Sequence, residues 1–282
     1  MRLLRIGERG AERPAVERDD VWFDARPVTE EFDGQFFAGG GVERLRAALD
    51  AGELPEVPGD GVRIGAPVAR PGKVVCIGLN YRDHAAETGA TPPDEPVVFM
   101  KDPSTVIGPS DEVLVPRGST KTDWEVELGV LIGTEARYLE STDAAREVIA
   151  GYLVSHDVSE REFQLERGGQ WDKGKSCETF YPAGPYLVPR DEVGDPQQLG
   201  LRLWVNGTQR QNGSTADMIF PVFEVIRYLS QFMVLNPGDL VNTGTPAGVA
   251  LGLPGTPYLR GGDVVELEID GLGRQRQTLA QA

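Results

Sequence analysis

Lys121-Thr-Asp-Trp-Glu-Val-Glu-Leu-Gly-Val130 is the stretch on which the fold turns. Its alternation predicts a strand with Asp123, Glu125 and Glu127 on one face and Trp124, Val126 and Leu128 on the other. Same-face neighbours on a strand sit about 6.5 to 7 Å apart. A row of carboxylates turned inward would repel itself and lose hydration unless protons or a cation compensated. A hard divalent ion is the natural compensator, because magnesium, manganese and calcium favour oxygen donors and a site of two or three carboxylates leaves positions for water or substrate. The competing reading is the solvated polar face of an antiparallel strand.

The chain has 282 residues, 40% of them hydrophobic, which suits one large domain or a small one plus a large one. A net charge of −16, with no basic tract, argues against nucleic acid and anionic membranes as partners. It leaves a small anionic substrate open, since local charge outweighs distant screened acids. The opening MRLLRIGERG has no apolar core of signal-peptide length, and no apolar run suggests a membrane span, so a cytoplasmic protein is expected. Cys76 and Cys177 are too few for a disulfide scaffold and are read as reduced.

Residues 1 to 70 read as a small N-terminal domain and linker, with a helix over GVERLRAALDAG (41 to 52) and a Pro/Gly-rich exit, EVPGDGVRIGAPVARPGK. The glycines at 39 to 41 do not complete a dinucleotide fingerprint. Residues 71 to 282 change to short β-branched runs, KVVCIGL, PVVFM, EVELGVLIG, YLVSHD, LRLWV, DLVNT and DVVELEID, which predict a mainly β fold with α (α+β). Asn206-Gly207 marks a hairpin turn; it also lies in a glycosylation sequon, but the turn reading is preferred. Helices are expected over TDAAREVIAGY, capped by Ser141 or Thr142, and over PVFEVIRYLSQFM, with Phe223, Ile226, Leu229 and Met233 facing the core.

The two histidines, His84 and His156, stand beside acids. In GLNYRDHAAE, His84 and Glu87 share a face if the segment is helical, and a carboxylate beside an imidazole suits a general base that activates water. The alternative is a surface i,i+3 pair. In YLVSHDVSERE, His156 and Asp157 point to opposite faces of a strand, and Asp157 is taken as the inward one. Arg161, Gln164 and Lys175 bring donors nearby, and a lysine beside a metal can stabilise developing negative charge. In PGDLVNTGTPAG a strand runs into a Gly-rich turn with Thr243 and Thr245 on one side, a loop type that offers N–H and hydroxyl groups to a carboxylate.

Together these segments resemble the fumarylacetoacetate hydrolase family. The resemblance covers roughly residues 70 to 270 and rests on five ordered motifs: IGLNYRDHAAE; PVVFMKDPSTVIGP; DWEVELGVLIG; HDVSEREFQ followed by GGQWDKGKS; and PGDLVNTGTPAGV. It implies a mixed β-sandwich or roll with a small N-terminal domain, and a homodimer. It also implies one Mg²⁺ or Mn²⁺ per site, held by Glu125, Glu127 and Asp157. His84 and Glu87 correspond to the family dyad, Lys175 to its substrate-site lysine, and Arg161, Gln164 and Thr245 to substrate contacts. Some members carry a fourth metal carboxylate just upstream of the His motif. IGLNY offers none, so the chain resembles the three-carboxylate branch; Asp123 matches no family ligand and is expected either to back the ligands from behind or to be exposed.

The implied reaction is hydrolysis of a C–C bond in a 2,4-diketo acid, either an acylpyruvate or a 2,4-diketo-3-deoxy sugar acid. The products are pyruvate or a related 2-oxo acid and a carboxylic acid. Oxaloacetate decarboxylation and isomerisation of a 2-hydroxy-diene-dioate are the alternatives on the same scaffold, and a non-catalytic small-molecule binding module is a further one. The segment TGATPPDEP after His84 is read as a lid.

Overall fold

The computed structural model describes residues 1–59 and 61–282; Asp60, within the Pro/Gly-rich exit, lies outside the described residues. The fold is mostly β with some helices, as expected. Its middle layer is a mixed six-stranded sheet in the order Val188–Pro189, Ile149–His156, Val126–Ile132, Leu240–Asn242, Val74–Gly78, Val97–Lys101. Every residue of Val126–Ile132 is buried, so alternation sorts its side chains between two cores rather than between core and solvent.

Val126, Leu128, Val130 and Ile132 meet Leu201, Leu203, Leu267 and Ile269 of a five-stranded sheet, ordered Thr208–Ser214, Gly200–Val205, Val264–Ile269, Gly273–Gln281, Val113–Val115. Leu131, with Leu153 and Leu240, packs instead against Leu3, Val16, Leu45 and Leu49 of the N-terminal segment. That segment forms a second five-stranded sheet, Arg2–Ile6 to Ile64–Gly65, and the helix Gly41–Asp50. Asn206 and Gly207 both take positive φ, 49° and 75°, and close the hairpin between Gly200–Val205 and Thr208–Ser214. Among the described residues no helix is long and apolar enough to cross a membrane.

Two helix expectations are corrected. The helix capped by Ser141 stops at Glu147, and the strand expected at YLVSHD reaches back to Ile149, because IAGYLVSH pairs antiparallel along Val126–Ile132. Cross-strand pairing in a fully buried sheet outweighs the local helical pattern there. The later helix runs only over Val222–Leu229 and buries Val222, Val225, Ile226 and Leu229. Phe223 and Met233 are only partly buried, since the apolar stripe begins one residue earlier than the sequence reading set it.

Candidate active site

The pairing of Val126–Ile132 with Ile149–His156 builds the carboxylate cluster. Val126 lies opposite His156 and Glu127 opposite Ser155. One step beyond the ladder, the Asp157 N–H donates to the Glu125 carbonyl at 3.0 Å, so Glu125 and Asp157 are also neighbours across the strands. Residues opposite one another share a face. Glu125, Glu127 and Asp157 therefore converge, all buried, with one carboxylate oxygen from each within 4.8 Å of the others.

Three buried cations surround this cluster. Lys175 Nζ donates to Glu125 Oε2 at 2.6 Å and to Asp157 Oδ2 at 2.9 Å. Arg161 reaches Glu125 Oε1 at 2.6 Å, Asp123 Oδ2 at 2.8 Å and Gln164 Oε1 at 3.0 Å. Lys101 Nζ donates to Asp157 Oδ1 at 2.6 Å and to the Val158 carbonyl at 3.0 Å. Burial works to raise the Glu125 carboxyl, but Lys175 and Arg161 outweigh it and hold the group far below the usual carboxylate range. Burial works to lower Lys175, but Asp157 and Glu125 outweigh it and keep its ammonium charged. Glu127 goes the other way: burial, then the adjacent Asp157 and Glu125, push its carboxyl well up.

The donor set is oxygen-only, dry and short of positive charge. Four acids (Asp123, Glu125, Glu127, Asp157) face three cations (Lys101, Arg161, Lys175), a deficit of one. These residues fit a hard divalent ion held by Glu125, Glu127 and Asp157.

Of the two places left open for Asp123, the structure gives it the one behind the ligands: it holds Arg161, which in turn holds Glu125, and the exposed alternative is set aside. The residue is fully buried, and besides Arg161 it accepts from the Ala250 N–H at 2.7 Å and the Leu251 N–H at 3.1 Å. The predicted strand breaks after Asp123, which pairs with Ser159 in a separate two-stranded ladder and so turns toward Arg161. Lys101 carried no role in the sequence reading. Its signal was a lysine closing the apolar strand Val97–Lys101 on the same face as Phe99.

His84 and Glu87 lie on the short helix Arg82–Glu87, with Nδ1 2.9 Å from Glu87 Oε1. The Gly248 N–H meets both Glu87 oxygens, at 3.0 and 2.9 Å, and Asn80 ties the helix start to the Thr243 carbonyl at 2.8 Å. In the Gly-rich turn the Gly244 N–H donates to Glu127 Oε2 at 2.9 Å. Thr245 Oγ1 donates to the Val126 carbonyl at 2.9 Å and accepts from Gln211 Nε2 at 2.8 Å. His156 is buried on the far side, its Nδ1 3.1 Å from Gln277 Oε1, and burial pushes its pKa down to about 4.

A cleft of about 240 Å³ brings together His84, Glu125, Glu127, Arg161, Gln164, Lys175 and Thr245. Glu87 stands behind His84, and Asp157 behind Lys175. Two glycines allow this closeness. A Cβ on Gly78 would lie 2.5 Å from Trp171 Cζ3, and one on Gly174 would lie 2.4 Å from the Glu160 carbonyl oxygen, displacing the turn that carries Lys175. Gln164 sits in a wide π-type turn, Glu162–Glu166, of the kind enriched at functional sites.

The model of the fumarylacetoacetate (FAA) hydrolase C-terminal family matches residues 73–280. The chain belongs to the fumarylacetoacetate hydrolase family. A Burkholderia multivorans relative, whose name goes no further than hydrolase, is 51% identical over 279 residues and 98% of each chain. Fumarylacetoacetate hydrolase from Exiguobacterium antarcticum superposes with a TM-score of 0.86 at 33% identity, over 100% of both chains. Maleylpyruvate hydrolase from Sphingobium, solved with manganese(II) and pyruvate, gives 0.82 at 28% identity over 100% of both chains. The 2-hydroxyhepta-2,4-diene-1,7-dioate isomerase of Mycobacterium marinum gives 0.76 at 29% identity, covering 100% of this chain and 98% of the other. The family therefore includes both hydrolases and isomerases on this fold.

Proposed function

We propose that the protein is a divalent-metal-dependent hydrolase that cleaves the C–C bond of a 2,4-dioxo acid, an acylpyruvate or a 2,4-diketo-3-deoxy sugar acid, to pyruvate or a related 2-oxo acid and a carboxylic acid. The observation that carries this reading is that the His84–Glu87 pair opens onto the same cleft as Glu125, Glu127 and Lys175. Mg²⁺ or Mn²⁺ at Glu125, Glu127 and Asp157 would supply Lewis-acid polarisation of the 2-oxo acid end. The manganese and pyruvate of the Sphingobium hydrolase support the choice of ion and product class.

The remaining chemistry falls to the side chains. With Nδ1–H donated to Glu87, His84 keeps Nε2 as a base to take a proton from water. The resulting hydroxide attacks the distal carbonyl carbon, and the C3–C4 bond breaks. Its electron pair leaves on C3, delocalised as the enolate of the 2-oxo acid, and C3 takes up the proton that His84 removed from water, which returns the imidazole to its neutral form. The charged Lys175 stabilises that negative charge, and Gln164, its oxygen taken by Arg161, offers Nε2 to the substrate carboxylate.

The isomerase reading uses the same polarisation with proton transfer by His84 and no water attack, and the Mycobacterium marinum neighbour favours it as the second choice. Incubation of 2,4-dioxo acids, oxaloacetate and a 2-hydroxy-diene-dioate with Mg²⁺ or Mn²⁺ separates these readings. Pyruvate plus a carboxylic acid from the dioxo acids supports hydrolysis; double-bond migration or CO₂ release alone overturns it. We also propose a homodimer, in keeping with the exposure of Tyr138 and Phe232, 71% and 66%, on adjoining segments. Light scattering at the monomer mass would reject it.

A further inference from the structure

We infer that the cleft selects 2,4-dioxo acids whose distal end is an uncharged alkyl or aryl group, with Phe99, Leu165 and Trp171 setting that preference. This assignment rests on the dioxo-acid reading above and narrows it to acylpyruvates with an apolar tail.

Charge makes the first argument. The lysine and arginine among the described residues lining the cleft are Lys175 and Arg161. Both are committed: Lys175 to Glu125 and Asp157, Arg161 to Asp123, Glu125 and Gln164. These bonds hold both at the inner, acidic end of the cleft, where the one ammonium hydrogen left to Lys175 meets the enolate, so neither is placed to meet a second carboxylate at the far end of a substrate. With all four acids ionised, as a bound cation would favour, the cluster of four acids and three cations carries one negative charge. A divalent ion turns that into one positive charge, which a single substrate carboxylate neutralises. A second carboxylate would be left unpaired, which a low-dielectric wall disfavours.

The wall is of that kind. Phe99 lies with its ring 4.9 Å from Lys175 Nζ, so apolar surface begins at the inner end. Trp171 continues it, its ring 5.5 Å from that of Phe99. Leu165, 44% exposed, stands at the mouth. Leu79 completes the lining with a φ of 55°, a conformation that is strained for leucine and persists where the surrounding structure requires it.

The test compares tails of equal length. With the manganese-loaded protein, kcat/KM for pyruvate release is measured on acetyl-, butanoyl-, hexanoyl- and benzoyl-substituted pyruvates and on analogues ending in a carboxylate. Binding of 2-oxohexanoate and 2-oxoadipate, which need no turnover, is followed by calorimetry. We expect the alkyl tail to win by about tenfold in both assays, and kcat/KM to rise about fourfold per methylene until the cleft is full. Leu165→Arg, a change at the half-exposed mouth, is expected to shift the ratio toward the carboxylate tail by about fivefold or more. Equal or tighter binding of 2-oxoadipate by the unaltered protein overturns the tail assignment even if hydrolysis is observed. If none of the dioxo acids is cleaved while 2-oxohexanoate still binds preferentially, the proposed hydrolysis fails and the tail assignment stands.

Discussion

Lys101 and Asp157 form an ion pair sealed from water, with Nζ 2.6 Å from Oδ1 and neither side chain exposed. Breaking such a pair from one side leaves a buried charge uncompensated, at about 3 to 5 kcal/mol. Lys101→Met is therefore expected to destabilise the metal-free protein by that order in urea unfolding. Added Mn²⁺ should restore part of the loss through binding to the folded state. An unchanged unfolding midpoint would show that Lys101 does not hold Asp157 in place.

Glu127 has the opposite balance, since its carboxyl is pushed well above the ordinary 4.5 by burial and by Asp157 and Glu125. An acid whose folded pKa exceeds its unfolded one binds more protons in the native state. Stability of the metal-free protein should therefore fall as pH rises above 4.5 and through the raised folded pKa. Glu127→Gln should remove that slope in chelator. It should also abolish metal retention by elemental analysis and lower activity by about a hundredfold or more. A flat wild-type melting curve from about pH 5 to 8 in chelator, with the metal-free state verified, would contradict the linkage.

For His84→Ala we expect a loss of about 10²- to 10⁴-fold in hydrolysis with metal content unchanged. Glu87→Gln keeps the shape but weakens the hold on Nδ1, and should cost about tenfold or more in kcat/KM with metal content unchanged. Wild-type turnover by His84→Ala would rule out water activation by this residue.

Gly78→Ala would drive a methyl group into the Trp171 ring. Overpacking of this kind costs about 1 to 3 kcal/mol, and the indole has the cleft into which to move. The expected result is altered tryptophan fluorescence and a raised KM. Unperturbed emission and KM would mean that the ring yields without narrowing the site.

The acids of this site were legible chiefly through the ordered motifs and the family they resemble, and strand pairing then explains why they meet. Once Glu125, Glu127 and Asp157 are placed on neighbouring antiparallel strands, the register brings them to one face. The His84–Glu87 spacing likewise survives into the fold as a hydrogen bond. Asp123 was harder to place because its partners, Ala250 and Leu251, come from a loop more than a hundred residues away. Lys101 looked like any strand-end lysine, and only the packing of its strand against the segment through Val158 gives it a carboxylate to meet. The overextended helix after Ser141 has a similar origin: YLVSHD reads as a strand on its own, but Ile149–Gly151 join it only because they pair with Leu131 and Ile132.

Arg161, Gln164, Leu165, Trp171 and Lys175 all ride on one excursion of the chain, between the strands Ser159–Glu160 and Tyr181–Pro182. The sheets beneath contribute the acids and Lys101, while this single loop contributes the two cations that line the cleft and much of the hydrophobic lining. Charge balance and substrate choice are consequently coupled: Leu165 and Trp171 cannot shift far without moving Arg161 and Lys175, whose bonds hold Asp123, Glu125 and Asp157 in the sheets.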